Sequence, residues 1–195
     1  MKIVYRFLFL TFLLIFASNC ARTGRPEGGP KDETAPLFVT ANPPYKSIKF
    51  NSKEIKINFN EYIKLNKLNQ KLVISPPMKN PPLISPQGAP SKFINIEILD
   101  TLQPNTTYIF NFGDAIEDNN ENNKLEDFKY VFSTGSYIDS LKSSGSVKDI
   151  KKKDDLKNIN ILLYRLDTSF SDSTIYKRKP NYVTSTLDTT LFNFT

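Results

Sequence analysis

Apolar and polar positions alternate in short runs through most of the chain between residues 34 and 135. In residues 54–59, EIKINF, every second position is apolar and the positions between them are polar. In residues 108–112 and 128–132, an aromatic side chain occupies every second position. Because successive side chains of a strand point to opposite faces, each run predicts a half-buried β-strand.

Proline-rich turn signals separate these runs. Pro43-Pro44 and Pro76-Pro77 each end one run of alternating residues. The run PPLIS, residues 81–85, predicts a short edge strand, since proline is tolerated at the edge of a sheet. The alternation slips phase near Asn95, which predicts a β-bulge there. Residues 61–72 are the only stretch whose pattern suits a helical turn.

Together these signals predict an all-β fold. Roughly seven strands at this spacing, with no strand–helix alternation, are typical of an antiparallel β-sandwich. The stretch LQPNTTY places Tyr108 at the start of a strand, where a sandwich tyrosine points inward and its hydroxyl bonds to upstream backbone. Tyr108 is therefore a candidate structural residue, and an ordinary half-buried tyrosine is the alternative.

Three stretches in this order resemble a known family. They are DETAPLFVTANPP, EIKINFNEYIKL and LQPNTTYIFNFGDAIEDNNENNKLEDFKYVFSTG. They are similar to the bacterial Ig-like domain of the SbsA type, in the version found in lipoproteins of Bacteroidota. The resemblance covers residues 34–135 and implies an Ig-like antiparallel β-sandwich over that range.

The N-terminus has the pattern of a secretory signal peptide. Lys2 and Arg6 precede an apolar stretch, residues 7–17, that is shorter than the roughly 20 residues a membrane-spanning helix needs. The sequence ASNC that ends at Cys20 resembles a bacterial lipobox, which implies cleavage after residue 19 and lipidation of Cys20. Several acyl chains anchor a protein stably where one does not.

The polar, Gly/Pro-rich residues 20–33 are then expected to form a flexible tether. Two alternatives remain for Cys20, the only cysteine in the chain. It is a free cysteine buried at a helix end, or the protein is secreted without an anchor and is cleaved elsewhere.

The pattern of apolar and polar residues changes after Gly135. Residues 136–144 read as a linker, and residues 145–195 contain GSVKD, a polar loop and an apolar strand at 159–166. This arrangement resembles the first hairpin of a transthyretin-like or carboxypeptidase-regulatory-like β-sandwich. We therefore expect residues 145–195 to be the front part of a second sandwich in a longer protein, and a disordered tail is the alternative.

Composition removes several kinds of chemistry. The chain has no His and one Cys, which excludes Ser-His-Asp and Cys-His catalysis, His-based zinc sites and an intrachain disulfide. The net charge is +6, but the lysines alternate with apolar residues as on a solvated strand face. We expect neither nucleic-acid binding nor a cofactor.

The most polar loop, residues 114–127, contains the candidate calcium ligands Asp114, Asp118, Asn120 and Asp127. The EF-hand pattern fails, because Lys129 occupies the twelfth position counted from Asp118. The favoured interpretation is a solvated hairpin loop with no metal.

Four short motifs resemble the periplasmic O-glycosylation sequon of Bacteroidota, in which Asp precedes Ser or Thr and then an apolar residue or Thr. The candidate acceptors are Thr101, Ser140, Ser173 and Thr189.

These observations predict a non-catalytic envelope lipoprotein. Its Ig-like module would take structural or partner-binding roles at the outer membrane, on the periplasmic or the cell-surface side, with a protein partner that the sequence does not identify. One alternative is a glycan- or peptidoglycan-binding module, in which Tyr45, Tyr62 and Tyr137 replace the absent Trp. The other is a carboxylate-dependent hydrolase.

Overall fold

The computed structural model describes residues 2–16, 29–148, 159–186 and 191–194, which fall into two compact units, Met1–Asp32 and Glu33–Thr195. The helices are α1 (Lys2–Phe16), α2 (Leu68–Lys71) and α3 (Thr174–Lys177). The strands are β1 (Phe38–Asn42), β2 (Glu54–Leu65), β3 (Val73–Ser75), β4 (Leu83–Ser85), β5 (Ser91–Glu97), β6 (Thr107–Asn111), β7 (Ile116–Asp118), β8 (Lys124–Leu125), β9 (Lys129–Ser133), β10 (Ser143–Ser146), β11 (Asn160–Leu163), β12 (Tyr182–Ser185) and β13 (Leu191–Phe194).

Among its described residues, the first unit contains the helix α1. Its 15 residues extend about 22 Å at the usual rise of an α-helix, against a hydrocarbon core about 30 Å thick. Within the part of the chain that the structure describes, no helix has both the length and the apolar character to cross a bilayer.

The second unit is built on two antiparallel sheets. A six-stranded sheet has the order β4-β5-β2-β7-β8, with β1 also paired to β2, and a three-stranded sheet has the order β3-β6-β9. All the ladders are antiparallel. The predicted all-β antiparallel sandwich is confirmed.

The core lies between the two sheets and follows the alternation of the sequence. Ile55 and Ile57 of β2 face it with 1% and 0% of their surface exposed. Phe132 of β9 sits among other rings: its centroid lies 3.9 Å from Phe50 and 5.4 Å from Tyr108. Such aromatic pairs add about 0.5–1.5 kcal/mol each beyond the burial of their apolar area.

Two details of the strands differ from expectation. The bulge predicted near Asn95 is wrong, because the β2–β5 register runs unbroken from Glu54 to Asn58. The irregularity lies further along β2, between Asn58 and Ile63. The phase slip arises because Phe93 points away from the core, where the Lys56 ammonium lies 4.3 Å from its ring centroid.

The strand count also differs, because residues 34–135 contain nine strands rather than about seven. The two short strands β7 and β8 arise from the polar loop, whose sequence carries no alternating apolar signal.

The C-terminal strands cover the outer face of the three-stranded sheet. Val73 pairs with Asn111 on the face opposite the core, and β12 lies against β3 on that side. The backbone N–H of Val183 donates a hydrogen bond to the Ser75 Oγ at 3.1 Å. The expected first hairpin is not formed among the described residues, because β10 pairs with β13 and β11 pairs with β12.

Candidate functional site

The corner around Tyr108 joins the segment before β6 to the residue that follows β9. The backbone N–H of Gln103 donates a hydrogen bond to the Tyr108 hydroxyl at 2.9 Å, and burial raises the pKa of that phenol. The Thr134 hydroxyl donates to the Gln103 carbonyl at 2.7 Å and accepts from the Thr106 N–H at 2.9 Å. The sequence before β6 is thus tied to the end of β9, which is a structural role.

Asp118 organises the polar loop between β7 and β8. Its side chain is buried, and one oxygen accepts backbone N–H bonds from Asn120 at 2.8 Å, Glu121 at 2.6 Å and Asn122 at 3.1 Å. The other oxygen accepts from the Asn123 N–H at 2.8 Å. Burial alone would raise the pKa of the carboxyl, but the four N–H donors outweigh it and hold the pKa below its usual value.

Asp114 lies between two lysines. The ammonium groups of Lys71 and Lys124 each lie 2.8 Å from one of its oxygens. Burial opposes ionisation, but the hydrogen bonds from Lys124 and Lys71 outweigh it and lower the pKa of Asp114. The loop therefore balances this carboxylate with cations from the chain itself.

The buried Glu117 is held in a similar way. It accepts a hydrogen bond from the Asn66 side-chain amide at 3.0 Å and lies 3.7 Å from the Lys64 ammonium. Lys64 also donates to the Asn122 side-chain oxygen. These contacts fasten the loop to the C-terminal half of β2.

The calcium candidates serve different structural purposes. Asp114 binds lysines and Asp118 binds backbone, whereas Asn120 and Asp127 are exposed. Asp127 adopts a left-handed φ of 57°, as a turn residue does. In residues 2–16, 29–148, 159–186 and 191–194, no group of three or more His, Cys, Asp or Glu side chains is placed to hold a metal ion.

The remaining sequence-predicted residues fall in different places. Thr101, Ser140 and Ser173 are exposed, whereas Cys20 and Thr189 lie outside the described residues.

The three tyrosines of the glycan-binding alternative are 41%, 57% and 62% exposed. They are Tyr45, Tyr62 and Tyr137. The Lys92 ammonium lies 5.3 Å from the Tyr62 ring centroid, so this ring is partly covered by a cation.

Sequence reasoning missed a cleft of about 780 Å³ at one end of the sandwich. Three segments line it: residues 76–80 after β3, residues 99–108 before and at the start of β6, and residues 178–182 at the start of β12. The prolines at 76, 77 and 180 were readable only as turn signals. The 2.6 Å hydrogen bond from Lys179 to the Met78 carbonyl shows that segments about a hundred residues apart meet here. Nothing in the sequence indicates this contact.

The two antiparallel sheets, the aromatic core and the tyrosine corner define an Ig-like β-sandwich domain. The family model described as bacterial Ig-like domain matches residues 32–134, which is more than half of the 195 residues. The chain belongs to the bacterial Ig-like domain family. This membership fits a non-catalytic module of an extracellular or envelope protein. A search of curated proteins finds no match to the chain.

Proposed function

We propose that this protein is a non-catalytic cell-envelope lipoprotein, held on the outer membrane through lipid on Cys20. The observation that carries the proposal is the order of parts along the chain. A short apolar helix with a basic start, α1, precedes Cys20, and an Ig-like sandwich follows a polar stretch. A lipid anchor attaches such a β-rich module to a bilayer without a membrane-spanning helix.

The non-catalytic role is supported by the state of the acidic side chains. The buried or half-buried carboxylates of the most polar loop bind lysines or N–H groups, as at Asp114, Glu117 and Asp118. A glycosidase mechanism requires two carboxyl groups facing each other across a substrate cleft. The domain therefore suits a non-catalytic role better than hydrolysis: it spaces the molecule from the membrane and presents surfaces to an envelope partner.

Finer assignments belong to the same proposal. We further propose that the sandwich is of the SbsA type, from a protein of Bacteroidota, and that residues 145–195 belong to a transthyretin-like domain, although β10 and β11 do not form its expected first hairpin. Thr101, Ser140 and Ser173 are exposed, as an enzyme that transfers glycans requires of its acceptors, and Thr189 completes the proposed set. Mass spectrometry of peptides from the native envelope protein tests these acceptors, and unmodified peptides at all four positions would overturn the glycosylation assignment.

Metabolic labelling with a fatty-acid probe tests the anchor. Cells expressing the wild-type chain should incorporate the probe into this protein, whereas Cys20→Ala should abolish the label and release the protein from the membrane fraction. Ser18→Ala is the matched control, because it alters the same short segment and keeps the thiol. An unlabelled wild type, or a Cys20→Ala variant labelled as strongly as the wild type, would refute the proposal.

A further inference from the structure

The cleft of about 780 Å³ has a size that suits a ligand, since binding clefts usually fall between about 300 and 1,000 Å³. It forms where the C-terminal segment meets the sandwich. Lys179 marks this junction, because its ammonium donates to the Met78 carbonyl at 2.6 Å.

The charges of the cleft favour an anion. Lys79 and Lys179 both line it, and neither forms an ion pair with an acidic side chain of the described residues. Arg178 also lines the cleft, but its guanidinium is paired with Asp167 at 3.1 Å. Two ammonium groups therefore remain without a carboxylate partner.

The one carboxylate in the cleft lining, Asp100, is already engaged. It accepts hydrogen bonds from the backbone N–H groups of Lys79 and Asn80. The Asn80 side-chain amide adds a third donor at 2.6 Å. Neutral amide donors hold this carboxylate in place but do not cancel its charge. The lining still carries three cationic side chains, Lys79, Arg178 and Lys179, against this single carboxylate, so the cleft stays net positive.

The rest of the lining combines side chains that can form hydrogen bonds with aromatic and aliphatic side chains. Gln103 is exposed and offers a side-chain amide. Tyr182 and Leu99 keep 42% and 47% of their surface exposed. An exposed ring beside hydrogen-bonding side chains suits a sugar, whose C–H face packs on an aromatic ring while its hydroxyls bond to the rim.

We propose that this cleft binds an acidic polysaccharide, in which carboxylated sugar units pair with Lys79 and Lys179. The sugar ring lies against Tyr182, and its hydroxyls bond to the Gln103 side-chain amide. The inference rests on the proposed non-catalytic binding role and assigns a ligand class to it. It is independent of the lipid on Cys20, so a negative binding result leaves the labelling experiment to be judged by itself.

Isothermal titration calorimetry on the full chain in detergent tests the proposal. The probe is an oligogalacturonate, and a maltooligosaccharide of equal length is the neutral comparison. We expect the acidic sugar to bind at least about tenfold more tightly, with affinity that falls as salt is added, because the attraction between exposed charges is screened. Equal affinity for the two sugars would overturn the proposal.

Variants place the binding in the cleft. The double variant Lys79→Gln/Lys179→Gln should weaken oligogalacturonate binding about tenfold or more. The pair Lys53→Gln/Lys92→Gln removes the same charge away from the cleft lining and should leave affinity unchanged. An equal loss in the two pairs would reduce the effect to net charge and refute the site.

Two further arms address folding and the source of the anion. Tyr182→Ala keeps every charge and should still weaken binding, and circular dichroism checks that each variant retains its strands. Vesicles of phosphatidylglycerol supply a phosphate anion without a sugar. If the full chain prefers those vesicles, and Lys79→Gln/Lys179→Gln removes that preference, the cleft is a lipid site and the polysaccharide assignment is wrong.

Discussion

The sandwich and the C-terminal strands are held together by different means. Every buried large apolar side chain of the described residues lies between Ala41 and Phe132. In the C-terminal segment, residues 136–194, the buried side chains among the described residues are Thr174, Thr184, Ser185 and Thr186. Leu141 and Tyr176 of that segment are 88% and 84% exposed. One region therefore folds around an apolar core, whereas the buried side chains that the other region itself contributes are small and polar.

This difference predicts unequal stability within one compact unit. Burial of a large apolar side chain contributes about 1.5–3 kcal/mol, whereas a hydrogen bond between neutral groups contributes about 1 kcal/mol. The C-terminal segment is attached by contacts such as Val183 N–H to Ser75 and Lys179 to the Met78 carbonyl. We expect it to open locally at a lower free energy than the sandwich.

Phe132→Ala should give the largest effect, because it removes the ring at the centre of the core. Phe132 is fully buried, and its ring stacks on Phe50 with centroids 3.9 Å apart. Replacing a buried Phe by Ala costs about 3–5 kcal/mol. Urea denaturation followed by circular dichroism should show a loss of that size in the free energy of unfolding.

Leu166→Ala is the control for that substitution. Leu166 is apolar but 76% exposed, so the free energy of unfolding should change by no more than about 0.5 kcal/mol. If Leu166→Ala lowered the free energy of unfolding as much as Phe132→Ala, this would contradict the conclusion that only the sandwich has an apolar core.

Asp118→Ala should give the next largest effect, because the buried Asp118 carboxylate within the sandwich holds the β7–β8 loop in place. The substitution removes the acceptor of four backbone N–H bonds in a buried site. We expect a loss of about 2–3 kcal/mol in the free energy of unfolding. Asp172→Ala, at an exposed position of the C-terminal segment, should be nearly neutral.

The same residue gives a pH dependence with a defined sign. The N–H donors hold the pKa of Asp118 below its usual value in the folded state, so the unfolded chain takes up the proton first. The stabilisation is present above about pH 4, the ordinary pKa of Asp, and falls as the pH drops further. Asp118→Asn should make the acid side of the stability curve shallower, and an unchanged slope would show that the carboxylate does not bind these groups in solution.

Tyr108→Phe should have a smaller effect, because the ring stays in the core and only the hydroxyl is lost. The Gln103 N–H then lacks its acceptor. We expect about 1 kcal/mol of destabilisation, measured by thermal or urea unfolding. Tyr176→Phe, where the tyrosine is 84% exposed, is the matched control and should change nothing measurable. If the two substitutions destabilised the protein equally, the hydrogen bond between Gln103 and Tyr108 would not contribute to stability.

The parts of the fold that the sequence predicts are those with a local signal. The alternation in β2 identifies Ile55 and Ile57 as core residues, because a period of two is visible within six residues. The polar run before β8 gave no such signal. It reads as a solvated loop, yet its Asp118 is buried, because the loop's own N–H groups replace water.

Long-range pairing explains the remaining differences. The lysines at 64 and 71 that balance the acidic loop lie more than forty residues before it in sequence. The cleft likewise depends on the contact between Lys179 and Met78. Neither arrangement is visible in the sequence as a spacing or a motif. Packing, rather than the order of residues along the chain, decides which strands become neighbours.

Ser75→Ala should give the smallest effect and sharpen the comparison most directly. It removes the hydroxyl that accepts the Val183 N–H bond and leaves the core face of β3 unchanged. Hydrogen exchange should speed up at Val183 by the equivalent of about 0.5–1 kcal/mol, while exchange at the core strand β9 stays as in the wild type. Ser85→Ala, on the edge strand β4, is the control and should not alter exchange at Val183. Faster exchange at β9 in Ser75→Ala would mean that the C-terminal strands and the sandwich unfold together, and that the core stabilises both.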